Sequence, residues 1–325
     1  MAVPIVEVDH RDSPIHEHPS AARPASSAFA MVVHNFGRFV MSDAIDRFAG
    51  LSKVTMCYRD EGDPAGEPLL LIMGLNSQLI HWPQEIVENL GVRGYRVIRP
   101  DNRDSGLTEW TATPGPYFLQ AIASDTVELL DHLGIEKAHV VGASLGGMVA
   151  QLLAIQHPER VWSLCSIMST PHSSIGAPSD DVREEMLEPL PPDREEAIEQ
   201  IVALYALIGS KTYAASERER RYAVATLAYD RARGRHPDGP FRQMSAALMA
   251  PDRTERLRAL QVPTLVIHGA EDSLITIAGG EATHAAVPGS TYLPLAAMGH
   301  DLPAPLLDEI VTAIDANAAR RPAVV

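Results

Sequence analysis

Over residues 53–168 the chain alternates between short apolar runs and longer stretches of helical spacing. The runs fall at 54–58, 69–73, 95–99, 138–141 and 161–168. The barest of them, Leu69-Leu-Leu-Ile-Met73, has no polar position at all, as a strand buried on both faces requires. Between the runs, 82–90, 121–133 and 145–156 place apolar residues at helical intervals, and Gly91 supplies a stop after the first. Strands and helices alternating over more than a hundred residues predict an α/β fold, a mainly parallel sheet with helices on both faces.

That rhythm breaks near Pro171. From there to about Leu260 the texture is helical: Asp193 and Glu196 form a capping-box pattern opening a helix over 194–207, and 217–233 continues in the same manner. The alternation then returns, with strands expected at 264–268 and 291–295 and helices at 277–286 and 306–317. A helical block inserted between sheet segments predicts a lid over the sheet's carboxyl edge. The expected organisation is an arm at 1–52, a core built from 53–170 and 261–325, and a helical cap at 171–260. Within the arm, 1–28 has no sustained period and is expected to be mobile. Residues 29–51 are more apolar, with a turn of helix expected at 43–48 before Gly50.

Composition narrows the partners. The 325 residues are 46% hydrophobic and 21% charged, an ordinary globular balance. Lys and Arg number 27 against 42 Asp and Glu, a net charge of −15, which argues against nucleic acid because that affinity rests on neutralising phosphates. Two cysteines, Cys57 and Cys165, make neither a disulfide framework nor a metal-ligand set. The first residues do not read as a secretory signal, and no apolar stretch is long enough to span a membrane. A soluble cytoplasmic protein is expected, with no membrane partner.

The chemistry is concentrated in Gly142-Ala-Ser-Leu-Gly-Gly147, a G-x-S-x-G motif set between an expected strand and an expected helix. A sharp bend there pushes the Ser144 hydroxyl outward, while small neighbours relieve the crowding and the helix aims free N–H groups at developing negative charge. Serine needs a base, and the base needs a carboxylate. Both can be sought where strands end. Gly269-Ala-Glu-Asp272 offers Asp272 as the acid with Glu271 as a solvated neighbour, and Met298-Gly-His300 offers His300 as the base. The oxyanion donors are expected to be the backbone N–H groups of Leu145 and Leu75, the latter just beyond Gly74. Among the 13 histidines, His268 lies within a strand and reads as core, and His284 lies on an expected surface helix. His10, His16 and His18 lie on the arm. Arg103 and Asp104 are read as bracing loops by ion pairing. Asn76, Trp82, Met148, Met168 and Met298 lie beside the motifs, as pocket or as core.

Taken together, Leu71-Ile-Met-Gly-Leu-Asn76 with Trp82-Pro83, Arg99-Pro-Asp-Asn-Arg-Asp-Ser-Gly106, His139-Val-Val-Gly-Ala-Ser-Leu-Gly-Gly147, Pro263-Thr-Leu-Val-Ile-His-Gly-Ala-Glu-Asp272 and Met298-Gly-His300 carry a family pattern. On these residues the chain resembles the α/β-hydrolase superfamily, and within it bacterial esterases of the aclacinomycin methylesterase type. The resemblance spans roughly 53–318 and is weakest across the cap. It departs in having Met73-Gly74 where many relatives have His-Gly. It implies an α/β-hydrolase fold and a triad of Ser144, Asp272 and His300.

A serine at position 144 disfavours the dehalogenase and epoxide-hydrolase branches, which need a carboxylate there. No dinucleotide, Walker or zinc-protease motif is present, so no cofactor and no metal are expected. The expectation is a serine carboxylic-ester hydrolase acting on small to medium esters. Two alternatives stand beside it: a carbon–carbon bond hydrolase of a ring-cleavage diketone using the same triad, and a non-catalytic hydrolase-like binding protein. Acyl preference and any homo-oligomer are left open.

Overall fold

The structure is a computed structural model that describes residues 45–232 and 235–321. Among these, nine strands join one sheet: β1 (Arg47–Gly50), β2 (Val54–Gly62), β3 (Glu67–Ile72), β4 (Tyr95–Pro100), β5 (Glu109–Trp110), β6 (Ala138–Ala143), β7 (Val161–Ile167), β8 (Thr264–Gly269) and β9 (Thr291–Leu295). Their order is β1-β2-β4-β3-β6-β7-β8-β9, with β5 paired to β2. β2 runs antiparallel to β1, β4 and β5, and every pair from β4 across to β9 is parallel. The sheet is therefore the mainly parallel one the alternation predicts.

The helices are α1 (Gln84–Val92), α2 (Leu119–His132), α3 (Leu145–Gln156), α4 (Asp180–Leu187), α5 (Arg194–Ile208), α6 (Ala214–Ala232), α7 (Gly239–Leu248), α8 (Thr254–Leu257), α9 (Ile277–Ala286) and α10 (Leu307–Ala318). Successive strand residues face opposite ways, so the sheet feeds two cores. Leu70 and Ile72 of β3 and Val140 of β6 pack with Ile122 of α2 and Val149 of α3. Leu69, Leu71 and Val141 pack with Ile86 of α1 and Ile310 of α10 on the other face. Helix α3 is buried nearly all round, which explains why its sequence shows so little polar face.

Helices α4 to α8 all fall between β7 and β8. Asp193 caps α5 as its sequence suggests, accepting from the N–H groups of Glu195 and Glu196. Arginines tie this block to the sheet. Arg231 reaches Asp101 at 2.7 Å, Arg242 reaches Asp104 at 2.6 Å, and Arg253 donates to Gln151 and to the Thr170 carbonyl. No helix among the described residues is long and apolar enough to cross a membrane.

One expectation is corrected at the start of the sheet. The turn of helix expected at 43–48 is not helix where the chain is described: Arg47–Gly50 is the edge strand β1, paired from Arg47↔Tyr58 to Gly50↔Thr55. The sheet thus begins inside the stretch assigned to the arm. A four-residue segment has little helical preference of its own, and the free edge of β2 decides its conformation. Asp43 lies outside the described residues, as do the mobile arm expected at 1–28 and its histidines His10, His16 and His18.

Candidate active site

Parallel strands that end together bring distant turns into one place, and here the turns after β3, β4, β6, β7, β8 and β9 all lie along the carboxyl edge. Among the described residues, four other than glycine hold positive φ, namely Asn76 at 54°, Asp104 at 65°, Ser144 at 56° and Met168 at 41°. All four line one cavity of about 660 Å³. Strained backbone confined to the rim of a cavity marks a place where geometry is held against local preference.

Ser144 follows β6 and caps α3, with φ 56° and ψ −120°. Its N–H donates to the Ile167 carbonyl at 2.9 Å, and its own carbonyl accepts from Gly147 N, Met148 N and Ser169 Oγ. The bend is possible because a Cβ on Gly142 would overlap the Gly146 carbonyl, and one on Gly146 would overlap the Ile72 carbonyl. The N–H groups of Leu145 and Leu75 have no acceptor among the described residues. Leu145 opens α3 with its side chain in the core, and Leu75 lines the cavity.

Asp272 and His300 are joined directly, with His300 Nδ1 donating to Asp272 Oδ2 at 2.7 Å. The other carboxylate oxygen accepts from the backbone N–H groups of Leu274 and Ile275, both at 2.9 Å. Burial opposes the charge, but His300 and His268 outweigh it and hold the Asp272 carboxyl below its ordinary range. A carboxylate can only accept, so the proton in this bond belongs to His300 Nδ1 and the lone pair to Nε2. The imidazole is thereby fixed in the tautomer a base requires. His300 is also tied to the helical block, its N–H donating to the Ile208 carbonyl at 2.8 Å. Ser144 and His300 line the same cavity. The Ser144 hydroxyl makes no hydrogen bond to a described group, so the pair shares a chamber without a formed contact.

His268 is a core residue, fully buried, yet it has a neighbour the sequence did not reveal. Its Nε2 lies 2.7 Å from the Ile275 carbonyl and 3.4 Å from Asp272 Oδ2. Glu271, expected as a solvated neighbour, also has a structural role that the sequence did not reveal. It accepts from Lys211 N, Thr212 N, Thr212 Oγ1 and Ser210 Oγ, gathering the turn between α5 and α6. Those bonds, led by the Thr212 hydroxyl, pull its pKa down to about 2. Arg103 and Asp104 pair as braces: Arg103 with Asp125 at 2.6 Å, and Asp104 with Arg242 and with Trp110 Nε1. His284 stacks on Tyr292 with its Nδ1 against Ser290 Oγ.

Of the five pocket candidates, Asn76 and Met168 line the cavity. Trp82, Met148 and Met298 do not. Trp82 and Met298 pack in the core beneath α1 and α10, and Met148 packs on the opposite face with α2. Proximity to a motif in sequence does not decide which face of its own element a side chain occupies. The cap supplies walls that the sequence left unassigned, with Ile201, Leu204, Tyr205 and Ile208 of α5 forming a lining stripe. Their spacing of 0, 3, 4 and 7 is the available signal, an apolar stripe of helical period.

The family model for the alpha/beta hydrolase fold matches residues 67–303, and the chain belongs to that family. A rhodomycin D methylesterase of Streptomyces peucetius is 29% identical over 289 residues, covering 82% of this chain and 95% of its own. A second rhodomycin D methylesterase, from Streptomyces sp. strain C5, is 43% identical over 113 residues, which is 34% of this chain and 38% of that one. Among solved structures, the enol-lactonase of Burkholderia xenovorans LB400 superposes with a TM-score of 0.71 at 23% identity, covering 84% of this chain and all of that one. That likeness concerns the fold.

Proposed function

We propose that the protein is a serine carboxylic-ester hydrolase. The observation that carries the proposal is the 2.7 Å bond from His300 Nδ1 to a buried, ionised Asp272, on a cavity that also holds the strained Ser144. The bond leaves His300 Nε2 free to take a proton. Ser144 Oγ attacks the acyl carbon as His300 Nε2 accepts its proton, and Asp272 stabilises the imidazolium that forms. The Leu75 and Leu145 N–H groups receive the negative oxygen of the tetrahedral intermediate. His300 then protonates the departing alcohol, and water, activated by the same imidazole, releases the acid from the acyl-enzyme. The kinship with two proteins named methylesterases supports an ester as substrate, and the largely apolar cap wall supports an uncharged body of small to medium size.

The test is labelling by a fluorophosphonate together with turnover of a graded series of 4-nitrophenyl esters. Ser144→Ala should remove labelling and lower kcat by about 10⁴-fold or more, with its thermal unfolding little changed. A wild-type protein that cleaves a vinylogous diketone but no ester would belong with carbon–carbon hydrolases instead. One that neither labels nor turns over any of these would be a binding protein.

A further inference from the structure

The cavity is lined by histidines besides His300, and the hydrogen bonds of one of them, His81, fix the direction of a phenolic proton. His81 closes the short turn Leu79–His81 after β3, and Tyr205 stands on the lining stripe of α5; both line the cavity. His81 Nε2 and Tyr205 Oη are 2.8 Å apart. Either group can donate across that gap, and the surroundings of Nδ1 decide which one does. The Gln78 N–H points at His81 Nδ1 from 2.9 Å. The Gln78 carbonyl, 3.2 Å from the same nitrogen, already accepts from the His81 N–H at 2.9 Å. A proton on Nδ1 would orphan the buried Gln78 N–H, whereas a lone pair there satisfies it. Burial also drives the His81 pKa down to about 4, so the ring is neutral near pH 7. The single ring proton therefore sits on Nε2 and is donated to Tyr205. Burial raises the Tyr205 pKa, so the phenol keeps its own proton. That proton has no acceptor among the described residues.

We propose that Tyr205, oriented by His81, donates a hydrogen bond to a carbonyl oxygen of the substrate other than that of the scissile ester, selecting esters with a ketone elsewhere in their skeleton. The proposal rests on the ester-hydrolase assignment and deepens it. The side chains beside Tyr205 on α5, namely Ile201, Leu204 and Ile208, are apolar, so a ketone held there loses water and gains this donor in exchange. A methylene in the same place would leave the phenol proton unmatched.

The experiment compares 4-nitrophenyl octanoate with its 5-, 6- and 7-oxo forms, and octyl acetate with the corresponding oxo-octyl acetates followed by acid release. At least one ketone should be preferred over its parent by about tenfold in kcat/KM, expressed in KM. Tyr205→Phe should bring that preference to about one, and His81→Phe should weaken it by releasing the phenol rotor. No preferred ketone in the wild type, or a preference that survives in Tyr205→Phe, overturns the proposal. So does a Tyr205→Phe protein whose loss falls equally on parent and ketone in kcat, since that would place the phenol in the chemistry itself. Fluorophosphonate labelling run alongside separates the two levels. Labelling without any ketone preference overturns this inference alone, whereas no labelling and no turnover overturns the hydrolase assignment and this inference with it.

Discussion

Arg231 of α6 is the only partner of opposite charge within ion-pair distance of Asp101 among the described residues, at 2.7 Å, and the aspartate side chain is fully buried. Burial pushes Asp101 upward, opposed by Arg231 and by the N–H groups of Leu107 and Leu79. Arg231 also donates to Gln78 Oε1, the residue that orients His81, and pairs with Asp46 just ahead of β1. One guanidinium thus joins the cap, the cavity floor and the first strand. Removing one member of a buried pair costs more than removing both, because it leaves a charge desolvated and unmatched. Arg231→Met should lower unfolding stability by about 3–5 kcal/mol, and Arg231→Met with Asp101→Asn should recover most of it. Urea midpoints of the three proteins measure this, and a double variant no better than the single one would mean the pair does not act through charge.

The two adjacent acids at the end of β8 should behave differently. Asp272→Asn leaves a side chain of the same size, but an amide can present its NH₂ group to His300 and favour the wrong tautomer. By analogy with other triads kcat should fall by about 10⁴-fold. Glu271→Gln should keep most of the turnover, because Glu271 holds the Ser210–Thr212 turn and does not touch His300. If the glutamine variant loses as much as the asparagine one, the acid has been assigned to the wrong residue.

Glu271 also predicts a pH dependence. Its folded pKa of about 2 lies below its ordinary value of 4.5. Such a group contributes stability that is present above pH 4.5 and is lost as the pH falls towards 2. The turn between α5 and α6 should loosen over that interval. Hydrogen-exchange protection at the amides of Lys211 and Thr212, taken relative to the intrinsic rate at each pH, should fall in the wild type as the pH drops below 4.5. In Glu271→Gln protection there should be low at every pH, and an unaltered profile would count against the role.

What the sequence discloses follows from the range over which each feature is determined. The central runs of β3 and β8, 69–72 and 265–267, are apolar throughout because they are buried on both faces, so their positions can be read locally. Ser144, Asp272 and His300 can be placed for the same reason, since each ends a legible strand. The rest depends on contacts across long separations. Glu271 takes its partners from about 60 residues earlier, and β1 is a strand because β2 offers it an edge. Trp82, Met148 and Met298 face the cores because of how the turn before α1, helix α3 and the β9 loop are oriented, and a run of apolar letters does not show that orientation. The pairing of His81 with Tyr205 spans 124 positions and leaves no local trace beyond the lining stripe on α5.

The bend at Ser144 carries the last prediction. Gly146 sits where α3 passes under the end of β3, and a methyl group there would overlap the Ile72 carbonyl, which is main chain and cannot rotate away. Gly146→Ala should therefore displace α3 relative to β3 and cost about 1–3 kcal/mol in stability. The same displacement separates the Leu145 N–H from the Leu75 N–H, which stand on the two elements being pushed apart. Activity should then fall further than stability does, with kcat lower by about 10²-fold at temperatures where the protein remains folded. Gly289→Ala is the control, because that glycine has open space around its Cβ direction and lies in the turn before β9. It holds a positive φ of 67°, so the control should lose stability through its backbone while keeping its turnover when folded. Equal losses of kcat in the two variants would show that the effect of Gly146→Ala is general destabilisation and not a disturbed oxyanion site.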